Sequence, residues 1–199
     1  MRYLIFGVMI WCCCAAVVAQ KFHSACRLIL DAPDGPHQFS GVAVSDNRIL
    51  TVAHAIHNAN DIVWAEFPAD AHGSPVRLKI RAVVVKTDKR SDLCLLRYAP
   101  PVWAQIKPCN FSKVTQTPKR VRVQGYVMDV AMQSDAEVIR YGDYFKDSGT
   151  PLDLIGTRAI QGMSGSPVTV NDELVGIQEG GDNVSTHIIT LPAIQKFLP

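Results

Sequence analysis

The sequence predicts an all-β protein, and three observations favour that class. Short segments rich in Val, Ile and aromatic residues follow one another along the chain, turn signals such as Asn171-Asp172 separate them, and only the C-terminal residues have a helical pattern. Such strands favour a sandwich or a barrel over alternating strand–helix units. The predicted strands are Phe39–Ser45, Arg48–Ala53, Ile62–Phe67, Val76–Lys86, Leu93–Tyr98, Arg120–Met128, Glu137–Tyr141, Val168–Val170, Glu173–Gln178 and Thr186–Thr190.

The remaining segments complete the predicted architecture of two barrels. Leu191–Leu198 is a short amphipathic stretch with Pro192 at a first-turn position, which predicts a C-terminal helix. Ala99–Pro118 is rich in proline and polar residues, which is typical of a crossover between two halves. The expected domains are an N-terminal barrel at 20–104, a linker at 105–118 and a C-terminal barrel with the helix at 119–199.

Residues 1–19 are predicted to be a cleavable signal peptide. Arg2 precedes a long apolar run, and Val17 and Ala19 are small residues at positions −3 and −1 of a cleavage site before Gln20. The run is shorter than the ~20 residues that span a bilayer, so an uncleaved anchor is the alternative. Lipidation at Cys12 is less favoured because a tryptophan precedes it. We expect a secreted or periplasmic protein, without stable membrane association after signal removal.

Composition limits the classes of partner and cofactor. Twenty basic and 18 acidic residues give a net charge of +2, which offers no electrostatic reason to expect nucleic acid as a partner. With 48% hydrophobic residues the chain is expected to fold into a compact protein. The sequence has no Cys-x-x-Cys or His-x-x-x-His cluster, so we expect no structural zinc site and no cofactor.

Cysteine usage leaves two alternatives. Signal removal takes three of the six cysteines and leaves Cys26, Cys94 and Cys109. Cys94 lies in an apolar strand, where a cysteine is usually a small buried hydrophobic residue. In an oxidising compartment the expected disulfide is therefore Cys26–Cys109, with both thiols free as the alternative.

Three short segments carry residues with catalytic chemistry. His54 ends an apolar strand, Asp92 begins another, and Ser164 lies in the glycine-rich turn Gly162–Pro167. A serine hydroxyl needs an adjacent base, which His54 would supply, and Asp92 would fix the other ring nitrogen and stabilise the imidazolium. The glycines of the turn allow a close backbone approach.

These segments, in this order, resemble the chymotrypsin-like (trypsin-fold) serine proteases, in particular compact bacterial and phage-type members. Thr51-Val52-Ala53-His54 is similar to the family's Thr-Ala-Ala-His, Asp92-Leu93-Cys94-Leu95-Leu96 to its Asp-Ile-Ala-Leu-Leu, and Gly162-x-Ser164-Gly165-x-Pro167 to its nucleophile motif. The resemblance implies two six-stranded antiparallel barrels, a short C-terminal helix and a secreted serine endopeptidase that acts on polypeptides through an acyl-enzyme. It also implies an oxyanion hole formed by the amides of Gly162 and Ser164.

Each catalytic assignment has a competitor. His57 follows His54 but lies in a loop-like stretch, and Ser166 follows Ser164 but directly precedes a proline. Met163 stands where zymogen-activated members have an Asp, which predicts that no activating cut is needed beyond signal removal. The alternative functions are a catalytically silent binding protein of the same fold and an esterase using the same triad.

Of the predicted features, the substrate pocket is the one that the sequence determines least. The resemblance places Arg158, six residues before the nucleophile, at the base of the pocket, where it would favour an acidic P1 side chain. Glu179, before Gly180 and Gly181 on the expected pocket wall, would cancel that charge if it paired with Arg158. The pocket would then suit small or apolar P1 residues.

Overall fold

The computed structural model describes residues 24–68, 77–102, 104, 106–114, 116–145 and 150–199. The predicted signal peptide at 1–19 and the predicted strand start at Val76 lie outside the described residues. The elements are β1 Ala25–Ala32, β2 Gly35–Ser45, β3 Arg48–Val52, β4 Ile62–Phe67, β5 Leu78–Asp88, β6 Leu93–Tyr98, β7 Arg120–Val127, β8 Val130–Phe145, β9 Pro151–Ile155, β10 Pro167–Val170, β11 Glu173–Gly181, β12 Thr186–Thr190 and α1 Leu191–Phe197.

The strands form two closed antiparallel barrels, which confirms the predicted fold class. The first has the strand order β1-β2-β3-β6-β5-β4, and the second has β10-β11-β12-β9-β8-β7. In β4 the side chains alternate, so that Val63, Ala65 and Phe67 are buried while the residues between them are more exposed. This period of two gives each barrel an apolar interior.

The two barrels pack through a shared apolar layer. Leu50, Leu93 and Leu95 of the first barrel belong to the same buried cluster as Leu174 and Ile177 of the second. Leucine side chains of β3 and β6 that do not face the first barrel's interior are therefore covered by the second barrel. The catalytic candidates lie on loops at the edge of this layer.

Helix α1 covers one side of the layer. Its buried residues are Leu191, Ile194 and Phe197, and a proline occupies its first turn, as the sequence predicts. The ammonium group of Lys86 on β5 donates to the carbonyl oxygen of Phe197 and lies 4.6 Å from the centre of that ring. At seven residues, the one helix of the described region is too short to cross a membrane.

Three strands have the predicted bounds, and two were not predicted. The bounds of β4, β6 and β12 agree with the sequence prediction. In β1 the polar residues Arg27 and Asp31 interrupt the apolar run, but Arg27 pairs with Glu66 on the neighbouring β4. In β9 the buried carboxylate of Asp153 accepts the amide of Gly142 at 2.7 Å. Both strands were missed by the sequence prediction because each contains a charged residue whose partner lies on an adjacent strand.

The structure has free thiols, the alternative that the sequence left open, and does not show the Cys26–Cys109 disulfide. Cys26, Cys94 and Cys109 are buried free thiols. Cys26 and Cys94 belong to the interior cluster of the first barrel, whereas Cys109 lies in the apolar layer between the barrels. Cys26 and Cys109 are thus held in separate clusters, and burial raises the pKa of Cys94 and Cys109 to about 11.

Candidate active site

Asp92 and His54 form a tightly bound pair at the edge of the first barrel. One carboxylate oxygen of Asp92, Oδ1, accepts the backbone N–H of His54 at 2.8 Å, and the other, Oδ2, lies 2.8 Å from His54 Nδ1. Asp92 is 2% exposed, whereas the His54 side chain is 45% exposed. A single carboxylate therefore fixes both the backbone and the ring of His54 and leaves the ring's outer edge accessible.

The turn before β6 holds Asp92 in an unusual conformation. Asp92 has a φ of +58°, which a non-glycine residue adopts only with support from its surroundings. Its carbonyl oxygen accepts the amide of Ala53 at 3.0 Å. Within the same turn, the Ser91 hydroxyl and the backbone amides of Arg90 and Ser91 donate to Asp88, and these hydrogen bonds lower the pKa of the Asp88 carboxyl. Asp88 therefore organises the turn that presents Asp92.

The turn carrying Ser164 has a defined set of used and unused amides. The amides of Met163, Gly165 and Ser166 donate to Ile160, Gln178 and Met163 carbonyl oxygens, respectively. Among the backbone hydrogen bonds of turns and loops in the described region, none is donated by the amide of Gly162 or of Ser164. Gly162 and Gly165 have φ values of +96° and +85°, which favour glycine.

Ser40 is a site residue that the sequence reasoning missed. It is fully buried on β2, and its hydroxyl donates to the carbonyl oxygen of Gly162 at 2.8 Å and accepts the amide of Tyr126 at 2.9 Å. Its backbone N–H donates to the carbonyl oxygen of Ser164 at 2.8 Å. Ser40 of the first barrel thus holds two carbonyl groups of this turn, those of Gly162 and Ser164. A serine inside the otherwise apolar run of β2 was the available signal.

His54 and Ser164 line the same cleft, which has a volume of about 650 Å³. In the described region no hydrogen bond joins the Ser164 hydroxyl to His54. Contacts between a nucleophile and a base often tighten only when substrate is bound, so a missing hydrogen bond does not argue against this pair. Apolar side chains on its walls suit an extended polypeptide; they include Phe39, Val127, Met128 and Ile160.

The two competing residues occupy other environments. Ser166 is fully buried, and its hydroxyl lies 3.8 Å from the Met163 sulfur. The His57 ring is exposed and packs edge-on against His37, with 5.2 Å between the ring centres. His57 also lines the cleft, but the structure brings Asp92 to His54 and not to His57.

The residues expected in the specificity pocket have different surroundings. Arg158 is exposed on the loop after β9 and is not part of the cleft wall that holds Ser164. Glu179 contacts His187 instead, with 3.4 Å between Oε2 and Nδ1. Gly180 and Gly181 continue β11 and pair with β12. Glu179, whose pairing with Arg158 the sequence left open, therefore has a partner in His187.

Glu179 also lies beside the His54–Asp92 pair. A ring nitrogen of His54 and carboxylate oxygens of Asp92 and Glu179 all lie within 4.8 Å of one another. These three side chains come from separate elements, so no local sequence spacing could reveal them. Among the His, Cys, Asp and Glu residues that the structure describes, these are the three whose side chains are close enough together to hold a metal ion.

Comparisons with known proteins agree with this architecture. The family model described as "Trypsin-like peptidase domain" matches residues 39–177. A mitochondrial Do-like protease of Arabidopsis thaliana, Do-like 12, is 29% identical over 168 residues, covering 80% of this chain and 33% of that protein. A glutamyl endopeptidase of Staphylococcus epidermidis is 27% identical over 194 residues, covering 90% of this chain and 68% of that protein.

A similar fold occurs in the active form of the Rv3671c protease from M. tuberculosis. The two structures have a TM-score of 0.72 at 22% identity, over 92% of this chain and 82% of the other. The chain spans about a third of the length of the Do-like relatives it matches. Because the family model covers more than half of the chain and includes the segments of His54, Asp92 and Ser164, this chain belongs to the trypsin-like peptidase domain family.

Proposed function

We propose that the protein is a serine endopeptidase that cleaves polypeptides through His54, Asp92 and Ser164. The observation that carries this proposal is the Asp92 carboxylate, which bonds to both the backbone and the ring of His54 beside the cleft that Ser164 also lines. An imidazole held in this way has one tautomer and one orientation. Its other nitrogen is then free to exchange a proton with a serine hydroxyl.

The reaction proceeds in two acyl-transfer steps. The Ser164 oxygen attacks the scissile carbonyl carbon while His54 Nε2 takes the hydroxyl proton, and Asp92 stabilises the imidazolium that forms. Collapse of the tetrahedral intermediate breaks the C–N bond, and His54 gives the proton to the leaving amine. A water molecule, deprotonated by His54, then attacks the acyl-enzyme and releases the acid product with Ser164 restored.

The amides of Gly162 and Ser164 are proposed to form the oxyanion hole. Both lack a backbone acceptor among the described contacts, whereas the three neighbouring amides of the turn are used. The bond from Ser40 to the Gly162 carbonyl fixes the orientation of the turn on its other side. One such donor is worth roughly 3–4 kcal/mol of transition-state stabilisation.

We further propose that residues 1–19 direct export, that the mature enzyme begins at Gln20, and that the domains divide at the linker 105–118. Met163, before the nucleophile, is 5% exposed and packs in the apolar interior of the second barrel. A methionine in that position cannot form an ion pair with a new N-terminus. The enzyme is therefore proposed to be active without a further cut.

The assignment is tested with protein expressed from Gln20. The wild type is expected to cleave fluorescent casein and to react with a serine-directed phosphonate, and Ser164→Ala is expected to do neither. Ser166→Ala serves as the matched control and should keep both properties, because its hydroxyl is buried against Met163. Casein cleavage by Ser164→Ala would refute the triad.

The same protein distinguishes the alternative functions. Hydrolysis of a short-chain nitrophenyl ester without casein cleavage would indicate an esterase. A silent binding protein would give neither reaction and no phosphonate adduct. For specificity, peptides with Glu or Asp at P1 are compared with Ala, Leu, Phe and Lys versions. Loss of a Glu preference in Arg158→Ala would place that guanidinium at the P1 side chain, and unchanged ratios would place it outside the pocket.

A further inference from the structure

We propose that Glu179 is a positioning residue of the active site, a second carboxylate whose negative charge favours the imidazolium form of His54. The proposal rests on the proposed function, because it assigns Glu179 a role in the same proton transfer. It adds to the triad a charged side chain from β11, in the second barrel, that faces the His–Asp pair of the first barrel.

The distances place Glu179 within direct electrostatic range. A carboxylate oxygen of Glu179, a ring nitrogen of His54 and a carboxylate oxygen of Asp92 lie within 4.8 Å of one another. The side chains of Glu179 and Asp92 are 13% and 3% exposed, so water screens their charges poorly. A charge so close to His54 changes the energy of the imidazolium far more than a surface charge would.

Two carboxylates this close together repel each other unless a cation lies between or beside them. During acyl transfer His54 takes the proton of Ser164 and becomes the cation beside these two carboxylates. The electrostatic benefit of Glu179 is therefore greatest in the transition states and smaller in the resting enzyme, which is the condition for an effect on rate.

His187 holds Glu179 in place. It lies on β12 opposite Gly180, and its Nδ1 is 3.4 Å from Glu179 Oε2. The other charged groups around this pair have partners of their own. Asp182, in the turn after β11, accepts the amides of Val184 and Ser185, which, with a smaller contribution from His187, lower its pKa.

The neighbouring strand β9 contributes one more acidic group to this region. Asp153, opposite Ile188, is buried and accepts the Gly142 amide. Of the acidic groups named here, Asp92 and Glu179 are those close to the His54 ring.

The first test measures the charge effect without relying on activity. The ring of His54 is titrated by NMR in Ser164→Ala protein and in the Ser164→Ala/Glu179→Gln double variant, with a chelator present to exclude metal ions. We expect the titration midpoint of His54 to fall by on the order of one pH unit in the double variant. Coincident midpoints would overturn the proposal even if the protein proves not to be a protease.

The matched control is Glu173→Gln in the same Ser164→Ala background. Glu173 begins the same strand as Glu179 but lies at its opposite end, beside Asn171 and Asn110. This variant loses the same charge from the protein and should leave the His54 midpoint unchanged. If Glu179→Gln does not fold, Glu179→Met provides a second neutral side chain of similar size, and the same criterion applies.

The second test uses the active enzyme. Glu179→Gln is expected to move the acid limb of the kcat/KM profile to lower pH and to reduce kcat several-fold with little change in KM. Glu179→Asp keeps the charge and should restore most of the wild-type profile. A proportional rise in KM with an unmoved pH profile in both variants would show that Glu179 only shapes the substrate pocket, and would overturn the proposal.

Discussion

The hydroxyl of Ser40 donates a hydrogen bond to the carbonyl oxygen of Gly162 at 2.8 Å, and this contact ties the first barrel to the turn of the second that carries Ser164. The same hydroxyl accepts the amide of Tyr126, which belongs to β7. A single buried side chain therefore satisfies two backbone groups of the second barrel. The orientation of the turn carrying Ser164 depends on a strand that contains none of the three catalytic candidates.

Ser40→Ala is expected to lower kcat by about tenfold or more while KM changes little, because the Gly162 carbonyl loses the contact that orients the turn. The variant should also lose about 1–3 kcal/mol in free energy of unfolding, since the buried Tyr126 amide loses its acceptor. Steady-state kinetics and urea unfolding measure the two effects. The control is Ser45→Ala, near the exposed end of the same strand. Wild-type kinetics in Ser40→Ala would contradict the positioning role.

Gly165→Ala is expected to prevent folding or to destabilise the protein by several kcal/mol. The residue has a φ of +85°, and an added Cβ would lie 2.1 Å from the carbonyl oxygen of Ser40. Gly142→Ala is a matched control, because its φ of +57° carries similar backbone strain but its Cβ would meet nothing within 4 Å. Thermal unfolding of both variants separates steric exclusion from strain. Equal losses in the two variants would show that close approach to Ser40 is unimportant.

Asp92→Asn is expected to lower kcat on the order of 10⁴-fold without unfolding the protein. The amide oxygen can still accept the His54 backbone N–H, but the amide nitrogen cannot accept a hydrogen bond from Nδ1–H and so favours the wrong tautomer. The measurement is kcat at neutral pH, together with thermal unfolding. Asp88→Asn, which weakens the turn without touching His54, should cost far less activity. A similar loss in both variants would assign Asp92 a structural role alone.

The free energy of unfolding should fall as the pH rises from about 9 to 11. The ordinary thiol value is 9.0, whereas burial raises the pKa of Cys94 and Cys109 to about 11. In that interval the unfolded chain releases protons that the folded chain keeps, so the unfolded state gains stability with pH. Each thiol can contribute on the order of 1 kcal/mol per pH unit. Urea unfolding of wild type and Cys94→Ala/Cys109→Ala measures the effect, and identical slopes would contradict it.

Protein expressed from Gln20 and unfolded without reductant is expected to bind three equivalents of a thiol reagent, one each at Cys26, Cys94 and Cys109. Burial of all three side chains protects them in the folded protein, so the folded form should react slowly at pH 8. Mass spectrometry after alkylation counts the modified sites. One modified site together with a Cys26–Cys109 crosslink would restore the disulfide prediction.

Local patterns in the sequence predicted much of the fold. The bounds of β4, β6 and β12 follow directly from alternating or continuous apolar residues, and all three strands were predicted to the residue. Strand β1 was missed because its Arg27 is polar, and the partner that allows Arg27 in a strand is Glu66, 39 residues away. Polar residues inside strands can be interpreted only when their cross-strand partners are known.

The candidate active site likewise contains residues that local sequence patterns predict and residues that they do not. His54, Asp92 and Ser164 carry local motifs, so the sequence could nominate them, and their catalytic roles stay a proposal. Ser40 acts over a separation of 122 residues, and Glu179 reaches the His54–Asp92 pair from the other barrel. No spacing rule connects such residues, because the closure of each barrel and the packing between the barrels decide their proximity.

The bond between Ser40 and Gly162 also sets an order of events during protein synthesis. Ribosomes add about 5–20 residues per second, so Gly162 emerges roughly 6–25 s after Ser40. During that interval the His54–Asp92 pair can form within the first barrel, but it has no nucleophile to activate. Completion of the nucleophile turn requires the second barrel to dock onto β2. If Ser164 is the nucleophile, as proposed, a nascent chain of this protein cannot cleave its neighbours on the ribosome until the second barrel has been made.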